Sequence, residues 1–300
     1  MPSLSAVIPT RNRPADLCKA VESVRRQTRP ADELIVIDQS PGSESATMVQ
    51  AMFAGEQRTR LVYVHDATIT GLVDAKRVAV SRAAGEIICF LEDDVVLEDD
   101  YLAQIEAGFR EQPDMQGCSG VITNLPQSSP LYVTLHSVFF QGIFHDPRIR
   151  IFSQASRGVR ELICCDVMSG GLSAWRRGVF AQVPFDTRNG LFMLEDIDFS
   201  TRIVKVFGHC LYVNPRARLA HYWSAVNRDM QAIRQRRKLS EGIMYYKKRR
   251  DWPGARRGVL MAMVWWLGDA LLYSVRIRSV APLAGYVRGV IDGIRNPLAS

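Results

Sequence analysis

The chain has 300 residues, of which 47% are hydrophobic and 23% are charged. This is ordinary globular composition, so large-scale disorder is excluded, and the length allows one large α/β domain or a domain plus an appendage. The net charge of +7 is distributed unevenly, since residues 227–300 hold 15 Lys/Arg against 5 Asp/Glu, a balance of +10. Residues 1–226 are therefore slightly acidic, at −3.

Short apolar runs alternate with helix-length sequence in the first hundred residues. The pattern predicts four strands and the helices between them, which favours a mostly parallel sheet with ligands at the carboxyl ends of the strands. Residues 124–160 show only weak periodicity, so we expect an irregular excursion there. The predicted strands are Ala6–Pro9, Glu33–Asp38, Leu61–His65 and Glu86–Leu91.

Three consecutive carboxylates, Glu92, Asp93 and Asp94, follow the fourth predicted strand. Adjacent carboxylates repel one another, and oxygen ligands of this kind suit Mg²⁺ or Mn²⁺, which often share their coordination with substrate phosphates. The cluster therefore predicts a divalent metal and a nucleotide-type substrate. The alternative is an acidic cap for the next helix, but the second acidic cluster at residues 98–100 already supplies that charge.

Five motifs in this order resemble the family 2 glycosyltransferases with the GT-A fold, over about residues 3–225. The resemblance implies an α/β nucleotide-diphospho-sugar transferase fold, a mostly parallel sheet flanked by helices, with residues 1–225 as the catalytic domain. It implies an inverting, metal-dependent transfer from a nucleoside diphosphate-sugar donor. The motifs are Ser5–Arg13, Glu33–Asp38, Gly71–Arg77, Phe90–Asp94 and Glu195–Asp198.

In this family the loop after the first strand and the acid that ends the second hold the donor nucleotide. A carboxylate can accept a hydrogen bond from a base or a ribose, which suits Asp38, although Asp38 could also cap the turn that follows it. Relatives often carry a second acid and a glycine directly after this Asp, and this chain does not. The residues implied in donor binding are Pro9, Thr10, Arg11, Asp38, Lys76 and Asp93.

The resemblance also implies the metal ligands. Asp94 is the candidate for direct coordination, with Glu92 the least certain of the three acids. His221 follows the last predicted strand of the catalytic part and is expected either as an additional ligand or as a structural histidine. The ion, Mg²⁺ or Mn²⁺, would bridge the two phosphates of the donor.

The pair Glu195-Asp196 resembles the family's acidic motif, in which the Asp is the general base that takes the proton of the acceptor hydroxyl. Asp196 is therefore the candidate base, and Glu195 is assigned to the acceptor region. The alternative is an acid cluster that stabilises a helix start. Gly170 and Gly171 would let a sugar approach the backbone, and Trp175 would either stack on a sugar or belong to the core.

Residues 226–300 are expected to form a basic, apolar, helical extension. Eighteen residues separate Arg257 from Arg276, close to the lower limit of about 17–25 for a membrane span. Asp269 lies inside this run, at a cost of about 2.5–3.5 kcal/mol near a bilayer centre, and arginines flank both ends. We therefore expect an interfacial helix on an anionic membrane surface rather than nucleic-acid binding. A helix packed on the catalytic domain or a partner subunit, and a single span, are the alternatives.

These observations predict a glycosyltransferase that acts at the cytoplasmic face of the membrane on a glycan or lipid-linked acceptor, in cell-envelope polysaccharide or glycolipid synthesis. No charged and apolar leader precedes the first strand, so we expect no cleaved signal peptide. A nucleotidyltransferase is the nearest enzymatic alternative, but a glycine-rich phosphate loop after the first strand is missing. A catalytically idle, membrane-bound scaffold with the same fold is the other alternative.

Overall fold

The computed structural model describes residues 2–188, 191–224, 226 and 230–298. The chain divides into two compact units. Segments 128–149 and 186–198 precede the predicted boundary at residue 225, yet they group with the C-terminal helices. The assignment of residues 1–225 as the catalytic domain stays a prediction about function. The first unit comprises Met1–Gln127, Arg150–Phe185 and Phe199–Asn227, and the second comprises Ser128–Ile149, Asp186–Asp198 and Arg228–Ser300.

The described part of the first unit contains a nine-stranded mixed sheet, in the order β3-β2-β1-β4-β8-β6-β9-β5, with β7 paired to β9. The β3-β2-β1-β4 half is parallel, and β8 runs antiparallel to β4 and β6. The strands are β1 (Leu4–Thr10), β2 (Glu33–Asp38), β3 (Arg60–His65), β4 (Ile87–Phe90), β5 (Val95–Leu97), β6 (Gly117–Ile122), β7 (Ile163–Cys165), β8 (Ser173–Arg176) and β9 (Leu211–His221).

Both faces of this sheet are buried, which explains the nearly continuous apolar runs of β1, β2 and β4. Along β1, Leu4, Ala6 and Ile8 join one core cluster, and Val7 joins the cluster on the opposite face. Helices cover the sheet, each burying an apolar stripe. They are α1 (Pro14–Arg25), α2 (Glu44–Met52), α3 (Leu72–Arg82), α4 (Tyr101–Glu111) and α7 (Val179–Gln182), together with the residues that α6 (Arg148–Ser156) and α8 (Glu195–Phe207) contribute to this unit.

Helix α1 shows how the sequence produces this packing. Pro14 opens it, as suits a position whose N–H needs no helical partner. Leu17, Val21 and Val24 recur at the spacing of one helix face, and all three are completely buried. Each contributes about 1.5–3 kcal/mol through burial of its side chain. The strand-helix alternation predicted from the sequence is therefore present, and Thr10, Asp38 and Glu92 lie at or just beyond the carboxyl ends of β1, β2 and β4.

The second unit is helical in its described part. Its helices are α5 (Pro130–Phe139), a short 3-10 turn (Gly142–Phe144), α9 (Gln231–Lys248), α10 (Ala255–Arg276) and α11 (Ala281–Arg295). The expectation of an irregular segment at 124–160 was wrong, because α5 and α6 both lie within it. Helix α5 escaped notice because it exposes apolar side chains, among them Leu131, Leu135 and Val138, so its sequence lacks a polar face.

Helices α9 and α11 approach each other closely through three glycines on α11, Gly285, Gly289 and Gly293. A Cβ atom added at Gly285 would lie 2.2 Å from the carbonyl oxygen of Ala232, and one at Gly289 would lie 2.4 Å from that of Arg236. Such contacts are impossible for any larger residue. The spacing of four residues thus forms a smooth groove on α11 that accepts the backbone of α9.

Helix α10 is the one described helix that is long and apolar enough to cross a membrane, with a mean hydropathy of 1.5 over its best 18 residues. Only 28% of that stretch is buried. Asp269, in the middle of the helix, accepts hydrogen bonds from Gln235 and Lys238 of α9, each at 2.8 Å. Burial disfavours its charge, but these partners hold the pKa of Asp269 below its ordinary value.

Candidate active site

A cluster of three potential metal ligands, Glu92, Asp94 and His221, lies in the first unit, with the ligand atoms within 4.8 Å of one another. Strand β5 pairs antiparallel with β9 and sets Val95 opposite His221, which brings the histidine beside the acids that precede Val95. The Nε2 atom of His221 lies 3.0 Å from Glu92 Oε2 and 2.9 Å from Asp94 Oδ1. The predicted ligands Asp94 and His221 are therefore neighbours, and Glu92, the least certain acid, joins them.

The two carboxylates create a strongly negative field at His221. Burial lowers the pKa of this imidazole, but its hydrogen bonds and attraction to Asp94 and Glu92 outweigh burial and raise the pKa to about 9. Burial also opposes the ionisation of Asp94, yet His221, the Ser224 backbone N–H at 2.8 Å and Arg13 keep the pKa of Asp94 below its usual value. Two carboxylates and one imidazole fit the donor set of a divalent transition metal such as Mn²⁺.

Gly171 lies directly against the side chain of Glu92, which occupies the space that a Cβ atom at Gly171 would need. A Cβ atom at Gly171 would lie 2.3 Å from Glu92 Cγ and equally close to Glu92 Oε1, and the Glu92 backbone N–H donates to the Gly171 carbonyl at 3.1 Å. A glycine is therefore required at this position for Glu92 to keep its orientation. The assignment of Gly171 to the acceptor region stays a prediction, and its visible contact is with the metal-ligand cluster.

Asp93 faces a different set of partners from Asp94. Thr10 donates its hydroxyl to Asp93 Oδ2 at 2.8 Å, and Arg13 donates to Asp93 Oδ1, also at 2.8 Å. Burial raises the pKa of Asp93 despite these partners. Arg13 also lies 3.7 Å from Asp94 and donates to the Val226 carbonyl. The sequence did not indicate Arg13, although this residue follows Thr10 and Arg11 at the end of the polar turn after β1.

Asp38 lies at the carboxyl end of β2 and is completely buried. Its Oδ2 accepts from the Tyr63 hydroxyl at 2.7 Å, and its Oδ1 accepts from the Ser40 backbone N–H at 2.9 Å. The second contact is the turn cap that the sequence left open as an alternative. A role in donor binding stays a prediction, and Tyr63 is a partner that no sequence spacing indicated.

The other residues implied in donor binding, Lys76, Pro9 and Arg11, differ in their burial. Lys76 is 2% exposed and donates to the Gly170 carbonyl at 3.1 Å, so the predicted Lys76 and Gly170 contact each other directly. Pro9 is partly buried in β1, and Arg11 is exposed in the turn that follows.

Trp175 lies in the core. It is 3% exposed, its ring packs edge-on against Phe199, and its Nε1 donates to Ser173. Its burial favours the core, which is the second of the two alternatives predicted for Trp175, and its assignment to the acceptor region stays a prediction.

Asp196 lies in the second unit, near the start of α8, next to Glu195. Arg148 donates to Asp196 Oδ2, and the Ile197 backbone N–H donates to Asp196 Oδ1 at 2.8 Å. Arg148 also holds Asp146 with two hydrogen bonds of 2.7 and 2.8 Å, which fixes the guanidinium from the opposite side. Arg148 and Asp146 were not identified from the sequence, because both lie in the segment that looked irregular.

The family model for glycosyl transferase family 2 matches residues 5–173, which is more than half of the chain. The chain belongs to glycosyl transferase family 2. Members of this family are glycosyltransferases, so the protein is an enzyme of that class, and the nucleotidyltransferase alternative is not supported.

Three similar proteins are named as glycosyltransferases. The chain is 25% identical over 258 residues to an Escherichia coli (strain K12) protein whose name assigns it provisionally to colanic acid biosynthesis, as the glycosyl transferase WcaA; the match covers 83% of this chain and 82% of that protein. It is 31% identical over 94 residues to the Campylobacter jejuni GalNAc(5)-diNAcBac-PP-undecaprenol beta-1,3-glucosyltransferase, covering 31% of this chain and 30% of that one. A Mycobacterium bovis PGL/p-HBAD biosynthesis glycosyltransferase is 36% identical over 118 residues, covering 38% and 45%.

Solved structures confirm the GT-A fold predicted from the sequence. The mannosyltransferase PcManGT from Pyrobaculum calidifontis, in complex with GDP-Man and Mn²⁺, superimposes with a TM-score of 0.63 at 16% identity, over 98% of this chain and 87% of that one. GalNAc-T7 with UDP, GalNAc and Mn²⁺ gives a TM-score of 0.59 at 15% identity, over 92% and 57%. The first match extends through the C-terminal helices of this chain.

Proposed function

We propose that this glycosyltransferase moves a sugar from a nucleoside diphosphate-sugar to a glycan or lipid-linked acceptor during cell-envelope polysaccharide or glycolipid synthesis, with inversion and with a divalent metal. The observation that supports this most directly is the convergence of Glu92, Asp94 and His221. Asp94 follows a strand, and His221, 127 positions later in the sequence, lies beside it. Both lie at the sheet edge where α/β folds bind ligands.

In this proposal Asp94, His221 and Glu92 hold the metal. When bound, the ion neutralises the charge that develops on the departing nucleoside diphosphate. Asp93 holds Thr10 and Arg13 in place at the end of β1, and Arg13 adds a positive charge beside the cluster. Pro9, Arg11, Asp38 and Lys76 are proposed for the nucleoside part of the donor. Two similar solved structures, PcManGT and GalNAc-T7, are complexes with Mn²⁺, which supports the choice of a divalent ion.

Asp196 is proposed as the general base that removes the proton from the acceptor hydroxyl as this hydroxyl attacks the anomeric carbon. Arg148 fixes one carboxylate oxygen of Asp196 and the Ile197 backbone N–H contacts the other, so the side chain has a defined orientation. Glu195 and Gly170 are proposed for the acceptor side of the reaction. The polyprenol-linked acceptor in the name of the Campylobacter relative supports a lipid-linked acceptor.

The second unit is proposed to attach the enzyme peripherally to the cytoplasmic face of the membrane. Helices α5 and α10 each expose an apolar stripe at helical spacing, and Tyr132 of α5 packs against Trp265 of α10, with ring centroids 5.5 Å apart. We call these two stripes the apolar face. Asp269 is not part of it, because its carboxylate is paired with α9. The apolar face comprises Leu131, Leu135 and Val138 of α5 and Leu260, Val264, Leu267, Leu271 and Val275 of α10.

Arginines at both ends of α10 supply charge complementarity to an anionic surface. Arg256 and Arg257 lie in its first turn, and Arg276 and Arg278 lie at its end, all exposed. Each basic residue near an anionic bilayer contributes about 1 kcal/mol. An apolar stripe bordered by arginine supports a helix that lies in the interface.

A binding and turnover screen tests the proposed activity. Binding of UDP, GDP, dTDP and CDP would be measured by calorimetry with Mn²⁺, with Mg²⁺ and with EDTA. Turnover of UDP-glucose, UDP-N-acetylgalactosamine and GDP-mannose would be followed as nucleotide release, with a lipid extract of bacterial membranes as the acceptor source. We expect at least one nucleotide to bind more tightly with metal. If none of the four does, the proposed donor chemistry is wrong.

A further inference from the structure

The residues directly before Glu195 and Asp196 are held by a helix from the C-terminal quarter of the chain. Glu241 of α9 is 5% exposed, and its Oε2 accepts a hydrogen bond from the Met193 backbone N–H at 2.6 Å. The backbone N–H groups of Phe192 and Leu194 also interact with this carboxylate. One buried side chain therefore faces three consecutive backbone amides, and α8 begins at the next residue.

Because Glu241 is buried, its carboxylate depends on the hydrogen bonds from these backbone N–H groups. Burial raises the pKa of Glu241 to about 7, against the opposing effect of the backbone N–H groups. A buried carboxylate is costly unless its oxygens accept hydrogen bonds. Backbone amides provide most of that compensation. A displacement of residues 192–194 would therefore leave the buried carboxylate without these hydrogen-bond donors.

A second anchor lies on the other side of Asp196 in the sequence. Asp198, which is 3% exposed, pairs with Lys248 at 2.9 Å and with Arg249 at 2.7 Å, both at the end of α9. Lys248 also pairs with Asp186 at 2.7 Å. In addition, the guanidinium of Arg237 lies 5.1 Å from the ring centroid of Phe192. Helix α9 thus contacts the segment 186–198 both before and after Asp196.

We propose that α9 is part of the catalytic apparatus and that Glu241 is a positioning residue for Asp196. The inference rests on the proposed role of Asp196 as the base. Its physical basis is that catalysis requires a base held within a fraction of an ångström, and a misplacement of 1 Å can cost about 100-fold in rate. Helix α9 lies outside the residues that the family model matches, and the sequence of residues 226–300 assigns no catalytic role to it.

The test compares Glu241→Gln with Asp292→Asn. The first change is nearly isosteric and replaces one of the two carboxylate oxygens that face the amides with an NH₂ group, which cannot accept a hydrogen bond. The second removes the exposed partner of Arg236 on α9 and leaves the contacts to 186–198 in place, so it is the matched control. Amide hydrogen exchange of residues 191–198 would be measured in both variants, together with UDP and GDP binding in Mn²⁺ and turnover of the donors named above. Circular dichroism would confirm folding.

We expect exchange at 191–198 to accelerate about 10-fold or more in Glu241→Gln, and kcat to fall about 10- to 100-fold, while nucleotide Kd stays within about twofold. The control should match the wild type in all three. In the Asp196→Asn background, Glu241→Gln should cause no further loss of kcat, because a residue that acts through Asp196 has nothing left to position.

Unchanged exchange in Glu241→Gln would refute the anchoring. Faster exchange with a normal kcat, or a full additional loss of kcat in the double variant, would show a role in stability only and overturn the proposal. Asp196→Asn alone reports on the base separately: full turnover in that variant contradicts the proposed function, whereas a normal kcat in Glu241→Gln with Asp196→Asn inactive contradicts only the inference.

Discussion

Asp93 and Asp94 are adjacent carboxylates whose pKa values move in opposite directions. Burial dominates at Asp93 and raises its pKa, whereas His221 and the Ser224 N–H lower that of Asp94. Both residues lie in the turn between β4 and β5, and the difference follows from the partners that each side chain contacts. Asp93 is turned toward Thr10 and Arg13, and Asp94 toward His221. Asp93 thus stabilises the turn after β1, and Asp94 is the residue of the pair that we propose as a metal ligand.

Gly171→Ala should weaken the metal site without unfolding the protein. The new methyl group would overlap the side chain of Glu92, which must then leave its place beside His221. We expect the affinity for Mn²⁺ in the presence of UDP or GDP to fall about 10- to 100-fold, as for other changes that misplace a metal ligand. Gly178→Ala is the matched control, because no atom of the described residues lies within 4 Å of its added Cβ. Equal affinities in the two variants would contradict this role of Gly171.

Asp196→Asn should keep nucleotide affinity near that of the wild type and lower kcat by about 10²- to 10⁴-fold, the usual effect of losing a general base. An amide can still accept a hydrogen bond from Arg148 but cannot remove a proton. Steady-state kinetics with the donors that are turned over would measure the effect. A kcat within about threefold of the wild type would contradict the assignment of Asp196 as the base.

Among individual residues, the sequence indicated those whose role follows from residue type and position, such as Asp94 after an apolar strand. It did not indicate partners supplied by distant segments. Tyr63 reaches Asp38 because β2 and β3 are adjacent, and Arg148 reaches Asp196 across 48 positions. Trp175 could not be assigned from the sequence for a different reason. An aromatic residue near glycines gives the same sequence pattern in a core and in a binding site.

Among the elements, the pairing of α9 with α11 depends on glycine. Gly289→Ala would place a methyl group 2.4 Å from the Arg236 carbonyl and 2.8 Å from Leu239 Cβ, so the helices must separate. We expect a loss of about 1–3 kcal/mol in the free energy of unfolding, as for overpacked cores.

Gly268→Ala in α10 is the control for that change. Within the part of the chain that the structure describes, nothing lies within 4 Å of its added Cβ. The higher helix propensity of alanine should therefore stabilise the protein by about 0.5–1 kcal/mol. Urea unfolding of both variants provides the measurement. If Gly289→Ala is as stable as Gly268→Ala, the close approach of the two helices is incorrect.

The elements of the first unit were predictable because each strand is an apolar run bounded by polar turns. Helix α5 was not, because most of its residues are apolar and the stripe that it exposes, which includes Leu131 and Leu135, is apolar instead of polar. These exposed side chains matter because α5 contacts α10 through Tyr132 and Trp265, and both helices contribute to the apolar face. A failure of the pattern therefore marks a candidate functional surface.

For the molecule as a whole, the uneven charge distribution predicts how the enzyme attaches to membranes. Peripheral attachment through arginines and an apolar stripe should weaken as salt screens the charges. Membranes from expressing cells would be washed with high salt and then with alkaline carbonate. We expect the full-length protein to be released by these washes, and a chain ending at Ser224 not to pellet at all. A full-length protein that resists both washes is an integral one.

The apolar face can be tested within the same assay. Val264→Glu combined with Leu271→Glu places two charges on it and should abolish pelleting even at low salt. Val206→Glu is the control, because Val206 is exposed to a similar degree, 53% against 56% for Val264, but belongs to α8. If the double variant still pellets like the control, the apolar face does not contact lipid.

The central claim is that Glu92, Asp94 and His221 hold a divalent ion that binds the donor diphosphate. Calorimetric titration of Mn²⁺ with UDP or GDP into the wild type and into Asp94→Asn tests it most directly, with Asp99→Asn, in the exposed second acidic cluster, as the matched control. We expect metal-dependent nucleotide binding in the wild type and in the control, and its loss in Asp94→Asn with the fold retained. Full Mn²⁺-dependent binding by Asp94→Asn would contradict the account.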